Sequence, residues 1–319
     1  MTERIPHFTW KKDELDFFGT TVPVYLPDNI TIDQLNKFKG FNDWKQTTHK
    51  HLARQSDPKH AFHAHPYSLK SIEVQSVDRF PNGNIGFIKI NANVEREPIP
   101  ADDQTGPKPN IPKNLPGIAF LRGGSVAMLM ILRPKDSREE RYVVLTEQPR
   151  LPAGSLQFLE IPAGMLDEED NFSGAAAKEI EEETGFKIPH AELVDMTALA
   201  LLNSSHPEEG LKSAMYPSPG GCDEYIALFL WEKELDRQEI EDLRGRLTGE
   251  RTQDEMITLH IRDYEDLWRE GARDAKTLAA WALYEGLSRS GELRGYQRQK
   301  RESSTSKAPL QEQVKRKRG

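Results

Sequence analysis

Short apolar runs of strand length alternate with helical patterns through the middle of the chain. Ser125–Leu132, Tyr142–Thr146, Leu156–Ile161, Tyr225–Trp231 and Met256–Ile261 read as strands, and Gly174–Thr184 and Asp274–Arg289 as helices. Alternation at these lengths predicts a layered α/β or α+β domain. Upstream, Leu35, Phe38, Phe41 and Trp44 recur at helical spacing, which predicts a helix across Ile30–Arg54 with Thr31 as its N-cap. Pro81-Asn-Gly-Asn84 ahead of Ile85–Ile90 predicts a turn that feeds a strand. Residues 97–116 are rich in Pro, Asp and Gly and read as a loop or linker. The polar, basic stretch after Gly295, with Ser303-Ser-Thr-Ser306 inside it, reads as disordered. There is no internal repeat.

Composition narrows the class. The longest clean apolar runs, Val126–Leu132 and Tyr225–Trp231, fall far short of the ~20 residues that a membrane-spanning helix needs. Neither an apolar signal core nor an Arg/Ser-rich transit pattern is expected at Met1-Thr-Glu-Arg. The single cysteine, Cys222, excludes an intramolecular disulfide and a Cys-rich zinc module, and suits a reducing compartment such as the cytoplasm. Net charge is -8 over 319 residues, but residues 296–319 carry eight Lys/Arg against Glu302 and Glu312, so the remainder holds -14. An acidic body argues against a nucleic-acid partner and permits one that gathers divalent cations. The basic run Lys315-Arg-Lys-Arg318 reads as a solvated tail, with nuclear import as the alternative.

The densest chemistry lies in Leu159–Ile188. Ser173 is a good N-cap, Ala175–Ala177 are strong helix formers, and Gly185 is the expected residue past the C-terminus. On the helix between them, Glu179, Glu182 and Glu183 share one face while Glu181 points elsewhere. Like charges at this spacing cost roughly 0.2–0.5 kcal/mol per pair. Carboxylates in a last turn also oppose the helix dipole. A hard cation such as Mg²⁺ reverses the sign, because carboxylate oxygens are its preferred ligands. A solvated acidic helix is the plain alternative.

The surrounding spacing runs Gly164, five residues, Asp170, seven residues, then Lys178-Glu179-Ile180-x-Glu182-Glu183-x-Gly185-Phe186. It resembles the Nudix box, with Asp170 where the family has Glu and Lys178 where it has Arg. Lysine keeps the charge but lacks the planar two-pronged fork. Pro116-Gly-Ile-Ala-Phe-Leu-Arg122, Leu145-Thr-Glu-Gln-Pro-Arg150, Glu160-Ile-Pro-Ala-Gly164, Tyr216-Pro-Ser-Pro-Gly-Gly-Cys-Asp-Glu224, Asp274-Ala-Lys276 and Leu283-Tyr-Glu285 resemble the ADP-sugar and UDP-glucose pyrophosphatase branch. The likeness covers residues 75–290.

The resemblance implies a Nudix α/β/α sandwich with a mixed sheet over residues 115–292. An N-terminal region, 1–114, of helix plus strands would serve as a dimerisation element, and 293–319 would be a disordered basic tail. It implies Mg²⁺ or Mn²⁺ held by Glu179, Glu182, Glu183 and the Ala163 carbonyl, with Glu182 also taking a catalytic part. Arg150 would grip a diphosphate, for which a guanidinium fork is suited, with Arg122 and Glu160 as further substrate contacts. Glu160 and Glu224 would support the metal shell. The general base falls on the loop before the last strand, where Glu255 matches best and Asp254 and Glu250 are alternatives. The implied reaction is hydrolysis of a nucleoside diphosphate sugar (ADP-glucose, ADP-ribose or UDP-glucose) by a homodimer. The rival is a catalytically weak nucleotide-sugar-binding protein. Residues 202–215 form a longer loop than the family's, so the spacing to Pro217 does not select a substrate. His49, His51, His60, His63 and His65 cluster without Cys or a helical H-x3-H pair, which makes a structural zinc site the lesser reading.

Overall fold

A computed structural model describes residues 10–97, 112–166, 174, 177, 181, 183–202, 204, 210–249 and 256–306. They fall into two compact units: one drawn from Met1–Val126, Met165–Ala175 and Pro207–Ile226, the other from Ala127–Gly164, Ala176–His206 and Ala227–Gly319.

In the first unit, β1 (Lys11–Phe17), β2 (Thr20–Leu26), β3 (Tyr67–Arg79), β4 (Ile85–Arg96) and β5 (Asn114–Leu115) lie side by side in that order, and β6 (Ile118–Leu121) also pairs with β4. The sheet is mixed: β2 runs parallel to β3, and the pairs β1–β2, β3–β4, β4–β5 and β4–β6 are antiparallel. β1 and β2 join through Phe18 and Gly19, both at positive φ, 52° and 88°, as a two-residue hairpin turn requires. Alternation fixes the buried face of β4 at Ile88, Ile90, Ala92 and Val94. On β3 the buried set changes parity, from Tyr67 and Leu69 to Ile72 and Val74. The register shift between Leu69 and Ser71 leaves Lys70 as an extra residue. Without that bulge one of the two pairs would face outward.

The parallel β2–β3 connection carries the predicted N-terminal helix, but as two helices. Thr31 caps Ile32–Lys37 in a reciprocal capping box with Gln34. Phe38 is extended at ψ 117°, and a second helix runs Lys39–Ala53. The Phe38 ring folds over Gly40, where an added Cβ would lie 3.0 Å from it. The break turns Leu35 and Phe41, both fully buried, into one core. Close approach also fixes Gly117, whose Cβ would stand 1.8 Å from the Ala92 carbonyl oxygen. Gly117→Ala is therefore expected to lower stability by about 1–3 kcal/mol. Urea denaturation should reveal it as a lower midpoint at unchanged slope.

The second sheet has the order β11 (Val194–Asp195), β12 (Tyr225–Leu235), β7 (Gly124–Pro134), β8 (Tyr142–Arg150), β14 (Ile257–Asp263) and β13 (Leu247–Thr248). β9 (Ser155–Glu160) adds to β8, and β10 (Ala163–Met165) adds to β7. β7 and β12 are buried at nearly every position from 124 to 132 and from 225 to 231. That is why they read as unbroken apolar runs. This mixed α/β arrangement is the fold class that the sequence predicts.

The helix Ala275–Ser290 starts at an Asp274 cap and ends at Gly291, φ 81°. The expectation of a disordered tail from residue 293 is corrected over its first part, because Glu292–Ser306 is helical. Leu293 is buried, Gln297 donates to Glu232, and Lys300 donates to the Leu193 carbonyl. The long Gln and Lys side chains pack by their stems and bond at their tips, so polarity alone misjudged them. Residues 307–319, with the basic run, lie outside the described residues. Among the described residues no helix is long and apolar enough to cross a membrane.

Candidate active site

β8 and β9 form the wall on which the site residues of the second unit stand. Thr146 faces Glu160 across the ladder, and Glu147 and Gln148 face Leu159 and Phe158. The register then shifts between Gln148 and Arg150. Pro149 sits in the shift, where a residue without an N–H costs no ladder bond. The result brings the Arg150 side chain back onto Glu160: Arg150 Nε donates to Glu160 Oε1 at 2.6 Å. Glu160 is only 2% exposed, whereas the Arg150 side chain is 40% exposed. Among the described residues the two terminal guanidinium nitrogens of Arg150 have no partner.

The other oxygen of Glu160 accepts from Lys276, which also bonds Asp274 Oδ1 at 3.1 Å. Asp274 Oδ2 takes the Thr277 N–H at 3.1 Å and the Thr277 hydroxyl at 2.5 Å. Thr277 Oγ1 in turn accepts the Ile161 N–H at 3.0 Å. The start of the helix Ala275–Ser290 is thus pinned to the end of β9 at two successive residues, 160 and 161. Gly271 makes room for this contact, since a Cβ there would lie 2.2 Å from Thr277 Cγ2.

Two residues further on, the Ala163 N–H donates to Glu183 Oε2 at 3.0 Å. Gln148 Nε2 approaches Glu183 Oε1 at 3.5 Å, and Glu183 is 6% exposed. Gly174, Ala177, Glu181, Glu183 and Thr184 are helical. Gly185 follows at φ 76°, its N–H returning to the Glu181 carbonyl at 2.9 Å. The predicted C-terminal glycine is therefore in place. A buried carboxylate held by a backbone N–H is by its chemistry an oxygen ligand that a hard cation accepts. Asp170, Lys178, Glu179 and Glu182 lie outside the described residues, as do Glu250, Asp254 and Glu255.

Arg122 and Glu224 belong to the first unit, where they pair at 3.0 Å. Ser125 Oγ reaches Glu224 at 3.4 Å. Beside them, Asp223 Oδ1 accepts the Arg122 N–H at 2.7 Å, and its carboxylate also takes the Gly123 N–H. Burial pushes the Asp223 carboxyl up to about 6, against the pull of those two N–H groups. A raised carboxyl binds more protons folded than unfolded between about pH 4 and 6. Its contribution is favourable below that window and is lost as pH rises through it. Asp223→Asn should accordingly gain on the wild type by on the order of 1–2 kcal/mol between pH 4.5 and 7. Parallel denaturation at the two pH values checks the sign.

Other sequence candidates resolve differently. Phe62 donates its N–H to His60 Nδ1, His63 meets the Gln55 carbonyl, and His49 stacks on Phe18. Among the described residues no group of three His, Cys, Asp or Glu is placed to hold a metal. Of residues 202–215, the described Leu211 and Lys212 help line a cavity of about 720 Å³ in the first unit, together with Trp44, His51 and Tyr225. Asp274, Lys276 and Gln148 stand within the matched motifs, but the sequence alone assigns them no role. The Asp274-x-x-Thr277 spacing ahead of an apolar helix was the available signal for the cap.

The NUDIX domain family matches residues 122–281. Nudix hydrolase 14, chloroplastic, of Arabidopsis thaliana is 40% identical over 225 residues, 70% of this chain and 65% of that protein's length. A Caenorhabditis elegans protein that carries the name nudix hydrolase 2 is 47% identical over 45 residues, 14% of this chain and 20% of its own.

Proposed function

This chain belongs to the Nudix family, and on that premise we propose that it hydrolyses the diphosphate bond of a nucleoside diphosphate sugar. The products are a nucleoside monophosphate and a sugar 1-phosphate. ADP-glucose, ADP-ribose and UDP-glucose are the substrates to test. The single observation that carries the reading is the half-open Arg150 fork. Its Nε is held by buried Glu160, leaving two N–H-bearing nitrogens in the geometry that phosphoryl oxygens accept.

Glu179, Glu182, Glu183 and the Ala163 carbonyl would hold Mg²⁺ or Mn²⁺. When bound, such ions neutralise phosphoryl oxygens and lower the pKa of a water. The protein's own work is positioning. Arg150 orients the diphosphate, and Glu160 keeps Arg150 in place. Glu255 takes the proton of the attacking water, with Asp254 and Glu250 as the alternatives. Water oxygen bonds to one phosphorus, the bridging P–O bond breaks, and the other phosphate leaves with the bridging oxygen.

We also assign residues 1–114 to dimerisation. Support comes from apolar side chains that this region leaves exposed, Phe18 at 45% and Phe80 at 38%, the latter ring edge-on to Phe87. The single cysteine fits a reducing compartment such as the cytoplasm.

The test is a panel of the three nucleotide sugars with Mg²⁺ and with Mn²⁺, resolving the monophosphate and sugar phosphate by chromatography. Release of both from one substrate supports the reading. Metal-dependent binding without monophosphate release would favour a nucleotide-sugar sensor instead.

A further inference from the structure

We propose that Lys276 is a positioning residue that keeps the Arg150 fork open for a diphosphate, by occupying the oxygen of Glu160 that Arg150 would otherwise take. The proposal rests on the assignment of Arg150 to the diphosphate.

A carboxylate and a guanidinium left to themselves pair fork to fork, through two parallel N–H···O bonds. Such a pair would spend Nε and one terminal nitrogen of Arg150 on Glu160 and turn the guanidinium away from a ligand. The observed pair is single: only Nε bonds, and only to Oε1. The reason is on the other side of the carboxylate, where Lys276 Nζ fills Oε2.

Lys276 is itself held in place. Its side chain is 11% exposed and its ammonium is bonded to Asp274 as well as to Glu160. Asp274 cannot swing with it, because its second oxygen is committed to the N–H and hydroxyl of Thr277. Thr277 is in turn tied to the backbone at Ile161. The ammonium is thus a fixed wedge, built from a helix start and aimed at one oxygen. Charge balance agrees, since Arg150 and Lys276 face Glu160 and Asp274, two cations against two carboxylates. A ligand that brings its own negative charge is then met by the exposed end of Arg150 with no uncompensated buried cation to stabilise in its absence.

A purely structural Lys276 and a wedge differ in what a second substitution does. Binding of ADP to the full chain, measured by titration calorimetry with excess chelator present, reads the Arg150 contact without metal or turnover. Wild type should bind, and Arg150→Gln should bind roughly 10- to 100-fold more weakly, the loss expected for one charged hydrogen-bonding group. Lys276→Met should lose a comparable factor, as Arg150 closes on Glu160. Lys276→Met combined with Glu160→Gln should recover much of that loss, because a neutral amide does not clasp the fork. Lys276→Arg, which still fills Oε2, should stay within a few-fold of wild type and carries the test if Lys276→Met does not fold. Three results overturn the inference: unchanged ADP binding in Lys276→Met, a double variant no better than the single, or a wild type that does not bind ADP under chelation. None of these depends on hydrolysis, so a failure of the nucleotide-sugar reaction is told apart from a failure of the wedge.

Discussion

Glu183→Gln is expected to reduce turnover at least about 100-fold, more than the 10- to 100-fold typical for a residue that only supports a metal ligand. The fold should hardly notice. Glu183 accepts the Ala163 N–H and sits beside Gln148, and a glutamine carbonyl oxygen accepts the same backbone hydrogen bond. What it gives up is charge, four residues on from Glu179, a spacing at which like charges in a helix repel. Relief of that repulsion, roughly 0.2–0.5 kcal/mol per pair, offsets part of any weakened hydrogen bond. The expected pattern is therefore a large kinetic defect, weaker Mn²⁺ binding by electron paramagnetic resonance, and a thermal midpoint close to wild type. Near-normal turnover with Mg²⁺ would remove Glu183 from the metal site. A collapsed midpoint would mean instead that the carboxylate is a structural plug under Ala163.

How much of this was readable beforehand depends on which interactions are local. β7 and β12 were legible because a strand buried on both faces is a continuous apolar run, and β14 because Ile257, Leu259 and Ile261 alternate with polar residues; their sequence limits fell within a few residues of the observed ones. The Thr31 cap was legible because a cap is a matter of three residues, whereas Asp274, read as the first helical residue, proved to be the cap itself. β1 was not, since Lys11-Lys12-Asp13-Glu14 offers little apolar signal and its partner β2 supplies the order. The break at Phe38 was hidden because Leu35, Phe38, Phe41 and Trp44 keep helical spacing across it. Only the packing of Phe38 over Gly40 shows that the chain restarts there. Near the site, the helix end at Gly185 followed from the local pattern, while the metal-binding roles of Glu183 and Ala163 came from the family resemblance. Lys276 did not, because it meets Glu160 across 116 residues of chain, and a contact of that range leaves no periodic trace in a single sequence.

Glu160→Leu should be the most destabilising of these substitutions, by about 3 kcal/mol, the low end of the cost of stripping one partner from a buried ion pair. The carboxylate is 2% exposed and lies between two cations. Removing it leaves the Arg150 and Lys276 charges facing each other over an apolar side chain. Their fates differ. Arg150, 40% exposed at the edge of β8, can turn to water at little cost. Lys276, 11% exposed, keeps only Asp274. That remaining bond is why the low end of the range applies. The loss should therefore trace to Lys276, and a second change makes this visible. Glu160→Leu with Lys276→Met replaces the buried pair by apolar groups of similar length, an exchange that is often neutral or better, so the double variant should recover most of the stability while Glu160→Leu alone does not. Urea denaturation of the wild type, both single variants and the double variant yields the coupling between the two sites. A single-variant loss below 1 kcal/mol, or a double variant that merely adds the two single losses, would mean that the Glu160–Lys276 contact contributes little to holding the helix Ala275–Ser290 against the end of β9.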